Sequence, residues 1–422
     1  MERKNKMRVC LLLMSADPRR GSEPGRAVVM ARNIISDDRV SDPIIIYPVW
    51  EGNVAHVDAF LRGGNSTVTL IPVEYQFNSK IFHLFPLKYC NYFLYNRKVS
   101  YLAKSFSKRV DLFHQVNYAG FRFAMPILSS SSVTVWGPIS GTENFPLRKA
   151  WPYLDGSGRL YYMFYLIINW MQFHLFGQGI RAFKKVNLIL AATSIDLHNL
   201  KTRTRDVRYL PETGYDAQAI QVSRPKVPGK PVQLMWSGAL ISRKGFPLLL
   251  AALRSVDLQL TGPIEVHVYG RGPKEKVWRK QAARVAAELG GQVRFCWQGE
   301  VAREQFLLAM GVSDLLVATT FREANSNVIA EAIAEGVPVV GLEVSGLRDT
   351  LVSAPNKLVP LNSQDLPKAF GSAIEELITS RGLTTSQTDV IPVLRDNVSQ
   401  GRLIVDFYED VLHDARARSL PA

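Results

Sequence analysis

Two acidic residues eight positions apart, Glu323 and Glu331, stand either side of a change from strand-like to helix-like sequence. The stretch DLLVATTFREANSNVIAEAIAEG runs from an apolar segment ending at Thr319-Thr320, through a short loop, into a helical pattern opening near Asn325-Ser326. Asn and Ser are favoured at N-caps. A helix starting there directs the amides of Asn327 and Val328, and the positive end of its dipole, toward whatever lies before it, which suits a phosphate. Glu323 falls in the loop and Glu331 in the second turn, so both carboxylates can address one ligand and accept hydrogen bonds from sugar hydroxyls. The plainer reading makes Glu331 a surface carboxylate and Glu323 an acid favoured by the helix dipole.

A second segment, PVQLMWSGALISRKGFPLLLAAL, has the same order of strand, glycine loop and helix. Gly238 permits close approach of a ligand, and Lys244, with Arg243 beside it, can neutralise a diphosphate. The plainer reading is a generic helix start with two solvated cations. His114, at the end of the strand-like DLFHQV, can face an acceptor or serve as an internal hydrogen bonder. Gly270 and Gly272 in YGRGP lack the third glycine and the downstream acid of a dinucleotide fingerprint, which excludes NAD. No HExxH, CxxC, GxSxG or GxxxxGK[ST] occurs. The three cysteines, Cys10, Cys90 and Cys296, are too few and too scattered for a disulfide framework or a structural zinc site, so a reducing compartment and no metal are expected.

These loops need a scaffold that brings strand ends together. Apolar runs alternate with helical patterns throughout the 422 residues. MRVCLLLM, PIIIYPV, TVTLIPV, DLFHQV, SVTVWG, VNLILAAT and VRYLP are expected strands of a first half. PVQLMWSG, IEVHVYG, QVRFCWQG, SDLLVAT and GVPVVGL are those of a second. Near-continuous apolar strands between helices imply parallel sheets covered on both faces. The length suits two domains. The predicted organisation is an N-terminal Rossmann-like domain over 1–215, a Pro-rich linker over 216–231, a second Rossmann-like domain over 232–398, and a terminal helix over 399–422 that packs back on the first domain. Doubly wound sheets bind ligands at the carboxyl ends of their strands.

Together the segments resemble a known family. Glu323…Glu331 followed by EAIAEGVPVV is similar to the nucleotide-sugar site of retaining GT-B glycosyltransferases, in particular the bacterial lipopolysaccharide and polysaccharide transferases. SGALISRKG resembles that family's diphosphate loop, RGSEPGRA its N-terminal Gly-Ser-Glu loop, and LPETG its exit into the second domain. FHQVNYAGFR followed by VWGPISG resembles a subgroup with those elements in that order. The resemblance implies an α/β GT-B fold, two doubly wound domains facing across a cleft. It implies transfer of a hexose, with retention, from a nucleotide-sugar to a saccharide or lipid-linked acceptor, without cofactor. Glu331 would bind the ribose hydroxyls. Glu323 and the amides from Asn325 through Ser326 and Asn327 to Val328 would hold the donor sugar and phosphate. Lys244 would stabilise the departing diphosphate, and Gly21 and Ser22 would approach the donor phosphate from the first domain. His114 and Gly137 would lie on the acceptor side. The chain departs from the family at Ala239, where an Arg is usual, at Ala324, where a Gly is usual, and at Trp136-Gly137, where many relatives carry a His. The missing Arg keeps open a non-catalytic sugar-binding or assembly subunit.

With 51 Lys and Arg against 37 acids, the net charge is +14. Such a field attracts anionic partners. No nucleic-acid signature accompanies it, so phosphorylated substrates and an anionic membrane surface are the expected partners. The run Val9 to Met14 is shorter than a signal-peptide core and is expected to be a buried strand. The most apolar stretch, Leu160 to Phe176, is interrupted by Asn169, Gln172 and His174 and falls short of the ~20 residues a spanning helix needs. Its aromatics, with Arg181, Lys184 and Lys185 after them, suit peripheral contact with the inner face of a cell membrane, or a buried helix on the first sheet. A cytoplasmic protein is expected.

Overall fold

The computed structural model describes residues 6–21, 23–75, 87–117, 120–175, 178–212, 214, 230–352, 355–380 and 395–419. Ser22, Thr213 and all but the last two residues of the expected linker lie outside them.

The chain divides into two compact units. The first contains a seven-stranded sheet, β1 (Val9–Leu12), β2 (Ile44–Val49), β3 (Thr69–Glu74), β4 (Leu112–Gln115), β5 (Thr134–Ile139), β6 (Leu188–Ala191) and β7 (Val207–Tyr209), in the order β3-β2-β1-β4-β5-β6-β7. The second contains β8 (Val232–Ser237), β9 (Ile264–Tyr269), β10 (Val293–Gly299), β11 (Leu315–Ala318), β12 (Val339–Leu342) and β13 (Lys357–Val359), in the order β10-β9-β8-β11-β12-β13. Every strand pairing is parallel. Both units are Rossmann-like, with order reversing between β1 and β4 and between β8 and β11. The twelve strands expected from apolar runs all form; the short edge strand β13 has too little apolar sequence to announce itself.

Unit boundaries differ from the expected ones. The first unit takes Met1–Glu143, Ile168–Gly214 and Asp396–Ala422; the second takes Asn144–Ile167 with Tyr215–Arg395. The early segment joins the second unit because several of its apolar side chains are buried there. Phe145, Leu154 and Tyr162 share a core with Trp236, Phe246 and Phe321. The Phe145 and Tyr162 rings stack at 3.8 Å. The terminal helix Asn397–Ser419 packs on the helix Glu23–Ile35 in the first unit, burying Ile404, Val405, Tyr408, Val411 and Leu412. Gly401 permits that approach, since a Cβ there would lie 2.7 Å from Asn33 Cβ.

The apolar stretch is the helix Gly156–His174. Among the described residues, no helix is long and apolar enough to cross a membrane. Its two expected readings divide by residue. Tyr162 and Phe173 are buried, Phe173 edge-on to Phe121 at 5.3 Å. Leu160, Tyr161, Phe164, Ile167, Ile168 and Trp170 are exposed.

Candidate active site

The site grows from the point where the second sheet reverses order. β8 and β11 are neighbours there, and the loops leaving their carboxyl ends carry the cationic and acidic residues singled out above. Ser242–Lys244 form a single 3-10 turn closed by Gly245 at φ +64°. A Cβ at Gly245 would lie 2.2 Å from the Thr319 carbonyl oxygen, so both the backbone sign and the contact require glycine. The loops are joined directly. Thr319 Oγ1 donates to the Lys244 carbonyl at 2.9 Å, and the Phe321 amide donates to the Arg243 carbonyl at 2.9 Å. Buried Trp236 donates Nε1 to Thr319 Oγ1 at 3.0 Å. The stem of Lys244 crosses Gly238, where a Cβ would lie 3.2 Å from its Cδ and Cε.

This framework delivers two cations to one carboxylate oxygen. Lys244 Nζ donates to Glu323 Oε2, and Arg243 Nη1 donates to the same atom at 3.2 Å. Arg243 is also fixed by the Arg322 carbonyl at 2.9 Å. Burial opposes ionisation of Glu323, but the charges of Lys244 and then Arg243 outweigh it, so its carboxyl sits below the usual range. Ala239, where an Arg is usual in the resembled family, is small and exposed. The Glu323 carbonyl accepts from the Gly346 amide at 2.9 Å, and a Cβ on Gly346 would fall 1.4 Å from the Ala324 carbonyl oxygen. Only glycine lets the loop lie this close.

The helix opens at Asn327, one residue after Ser326, which is the N-cap but makes no side-chain capping bond. The first helical bond runs from the Ala330 amide to the Ser326 carbonyl at 3.0 Å, so the preceding amides have no partner within the helix. Lys244, Glu323, Ser326, Val328, Ser237 and Thr320 line an open depression beside the helix start. Cationic side chains, a helix start and a carboxylate around such a depression can hold a phosphate ester and its attached polyol.

Glu331 is buried in the second turn but does not line this depression. In the ligand-free structure the two carboxylates are paired separately. Glu331 Oε1 lies 2.5 Å from Nη1 of Arg303, the first residue of the helix Arg303–Gly311 after β10. Arg303 went unnoticed because no local pattern sets it apart. Arg322 meets Tyr165 of the aromatic stretch Leu160 to Phe176, a contact no local pattern announces: Arg322 donates to the Tyr165 hydroxyl, and its guanidinium stands 4.9 Å from that ring's centroid. Asp155, in the same early segment, accepts from Ser242 at 3.0 Å and from Lys274 at 2.5 Å, pinning the segment to the cationic turn.

In the first unit, the acceptor-side expectation for His114 and Gly137 is corrected. His114 is fully buried. Its Nε2 lies 2.7 Å from the Gly137 carbonyl, which can only accept, so Nε2 carries the proton and Nδ1 accepts from the Tyr408 hydroxyl at 2.5 Å. Burial lowers its pKa to about 4, against a smaller opposing effect of the Gly137 carbonyl. Gly137, at φ +132°, is structural too: a Cβ there would lie 2.3 Å from the Leu190 carbonyl oxygen. Gly21 is exposed in the loop before the helix Glu23–Ile35.

Residues 231–380 match the family model described as Glycosyl transferases group 1. The lipopolysaccharide core biosynthesis glycosyltransferase LpsE of Rhizobium meliloti (strain 1021) is 29% identical over 186 residues, 43% of this chain and 50% of that protein. The 2-deoxystreptamine N-acetyl-D-glucosaminyltransferase of Streptomyces fradiae is 32% identical over 152 residues, 35% of each. The chain thus spans half or less of the length of these relatives. Among solved structures, the apo lipopolysaccharide outer core galactosyltransferase WaaB has a TM-score of 0.58 at 14% identity, covering 98% of this chain and all of that one. Anabaena HepE in complex with UDP and glucose has a TM-score of 0.56 at 15% identity, covering 96% of this chain and all of that one. At these identities the likeness is one of fold, and the fold is of GT-B type. Residues 231–380 resemble a group 1 glycosyltransferase domain.

Proposed function

We propose that this chain is a retaining glycosyltransferase that moves a hexose from a nucleotide-sugar to a saccharide or lipid-linked saccharide in polysaccharide or glycolipid biosynthesis. The observation that carries the reading is the convergence of Lys244 and Arg243 on Glu323 at the order reversal of the second sheet. A bound diphosphate takes those cations from the carboxylate, and Glu323 turns to the hydroxyls of the donor sugar. As the sugar C1–O bond breaks, its electron pair leaves on the diphosphate, whose growing charge Lys244 and Arg243 stabilise. The acceptor oxygen bonds C1 on the face the diphosphate leaves, and its proton passes to a phosphate oxygen. Two fixed cations supply the charge this step needs without a metal or cofactor. Glu331 binds the ribose in this reading, after Arg303 gives way or turns with it. The HepE complex with UDP and glucose supports a nucleotide-sugar donor.

Peripheral contact with the cytoplasmic face of an anionic membrane belongs to the same reading. Ile168 and Trp170 are exposed near the end of the helix Gly156–His174, and Arg181, Lys184 and Lys185 are exposed on the helix Gln178–Lys185 that follows. Apolar and basic side chains close in sequence suit an interface that is greasy beneath and negative above.

Screening nucleotide-sugars by thermal shift, then by transfer to saccharide acceptors, tests the reading, because a bound donor raises the melting temperature with its affinity. A folded protein that no nucleotide-sugar stabilises would overturn it.

A further inference from the structure

At the β10 edge of the second sheet, a group of side chains takes no part in the proposed transfer chemistry. β9 carries Glu265 and His267, two residues apart and so on one face. β10 is the edge strand and places Cys296 opposite His267 in register. One ligand atom from each of the three residues lies within 4.8 Å of the others, and all three are partly buried. From this juxtaposition we propose that Glu265, His267 and Cys296 bind a divalent cation of the zinc class.

The donor set selects the ion. A thiolate and an imidazole with one carboxylate suit borderline-soft zinc rather than magnesium or calcium, which take oxygen ligands. A thiolate and a carboxylate also neutralise a divalent charge, so the occupied site is uncharged at a partly buried edge. With metal–ligand bonds of about 2.0–2.3 Å, tetrahedral ligand atoms stand roughly 3.5 Å apart. Glu265 Oε2 already lies 3.7 Å from His267 Nε2. Rotation of the Cys296 side chain closes the set, and its thiol proton is released to solvent.

The surrounding groups fit the same purpose. Gln233 bridges the two β9 ligands, its Oε1 2.5 Å from His267 Nε2 and its Nε2 donating to Glu265 Oε2 at 3.0 Å. Its amide oxygen is thus placed to become a fourth ligand. Gln298 Nε2 lies 3.2 Å from His267 Nδ1. With metal on Nε2 the ring proton moves to Nδ1, and the Gln298 amide, turned over, accepts it, as partners of metal-bound histidines commonly do. Arg294 holds Glu265 Oε1 at 2.9 Å, which orients the carboxylate and leaves Oε2 for the ion. The sequence disguises the site because 29 residues separate His267 from Cys296, and only the parallel pairing of β9 with β10 joins them.

The test is cobalt and zinc titration of the full, untagged chain after chelator treatment and dialysis. One equivalent of cobalt should give a thiolate-to-metal charge-transfer band that one equivalent of zinc removes. Cys296→Ser should abolish the band, His267→Gln and Glu265→Gln should weaken cobalt binding at least tenfold, and Cys90→Ser should change nothing. Circular dichroism establishes which variants fold; should Cys296→Ser not fold, the His267 and Glu265 variants decide. Absence of stoichiometric cobalt binding by the wild type, a band that survives Cys296→Ser, or undiminished affinity in both β9 variants would each overturn the site.

Discussion

Lys244 and Glu323, 79 positions apart, share a hydrogen bond in which the ammonium donates to a carboxylate whose ionisation burial opposes. In the proposed function this pair meets the donor's diphosphate. Because Lys244 meets its largest opposing charge as the diphosphate departs, Lys244→Ala should lower kcat more than it raises the donor Kd. Steady-state kinetics with a direct donor-binding measurement would settle this. Equal losses in both would mean that Lys244 binds ground and transition states alike.

Arg243 meets the same oxygen, and the proposed function has it stand in for the cation absent at Ala239. Arg243→Ala should reduce turnover by roughly 10–100-fold, the scale of losing about 1.4–2.7 kcal/mol of transition-state stabilisation. Ala239→Arg added to that variant should recover part of the loss. A second substitution without effect would show that position 239 cannot reach the same charge.

Gly346 controls the Glu323 loop from another part of the chain. A methyl group 1.4 Å from the Ala324 carbonyl must push the loop away. Gly346→Ala should destabilise the fold by about 1–3 kcal/mol, as overpacking does, and weaken donor binding with it. Denaturant unfolding and donor titration measure the two effects. A variant normal in both would sever Gly346 from the site.

These relationships divide between what sequence shows and what it hides. Period, composition and glycine placement disclose twelve strands and both site loops, because those properties are local. Trp236 to Lys244 and Leu315 to Glu331 are each continuous segments, so their strand-loop-helix order was legible. The ion pair of Arg303 with Glu331 joins separate segments and was not. Nor could periodicity show that Phe145, Leu154 and Tyr162 would be buried beside Trp236, since an apolar face does not name the core it enters. His114 misled for a related reason. A histidine at a strand end is ambiguous until the distant Tyr408 hydroxyl is seen to occupy it.

Glu331 and Arg303 form a testable pair of their own. Glu331→Ala should weaken the nucleotide by about 1–3 kcal/mol, the range for a hydrogen bond to a charged group. Arg303→Ala releases the carboxylate, and a double-mutant cycle on donor affinity should show coupling of at least 0.5 kcal/mol. Strict additivity would mean that the ion pair is incidental to nucleotide binding.

His114 makes stability depend on pH. Burial holds its folded pKa near 4, against 6.5 for an ordinary histidine, so between these values the unfolded chain binds a proton that the native state refuses. Native stability is therefore complete above pH 6.5 and falls as pH drops toward 4, by on the order of 3 kcal/mol from this group. His114→Gln should flatten that part of the profile while lowering stability at neutral pH. Denaturant midpoints at intervals from pH 7 to 4.5 would show it, and parallel profiles for the two proteins would count against the assignment.

The membrane reading separates two aromatic residues that are three positions apart. Trp170 is 49% exposed and Phe173 is 6% exposed, so one is available to lipid and the other belongs to the first unit's core. Anionic vesicles should retain the wild-type protein at low salt, with roughly 1 kcal/mol from each basic side chain near the surface, a contribution that salt screens. Trp170→Ala should increase release at high salt, where the apolar contribution remains, and leave the melting temperature nearly unchanged. Phe173→Ala should lower the melting temperature through loss of about 3–5 kcal/mol, the usual range for a truncated core aromatic, with vesicle binding of the folded fraction intact. Charge reversal of Arg181, Lys184 and Lys185 should remove the salt-sensitive part. Sedimentation with vesicles of graded anionic content measures each case. A wild-type protein indifferent to anionic vesicles at low salt would eliminate membrane contact and leave a saccharide acceptor met in solution.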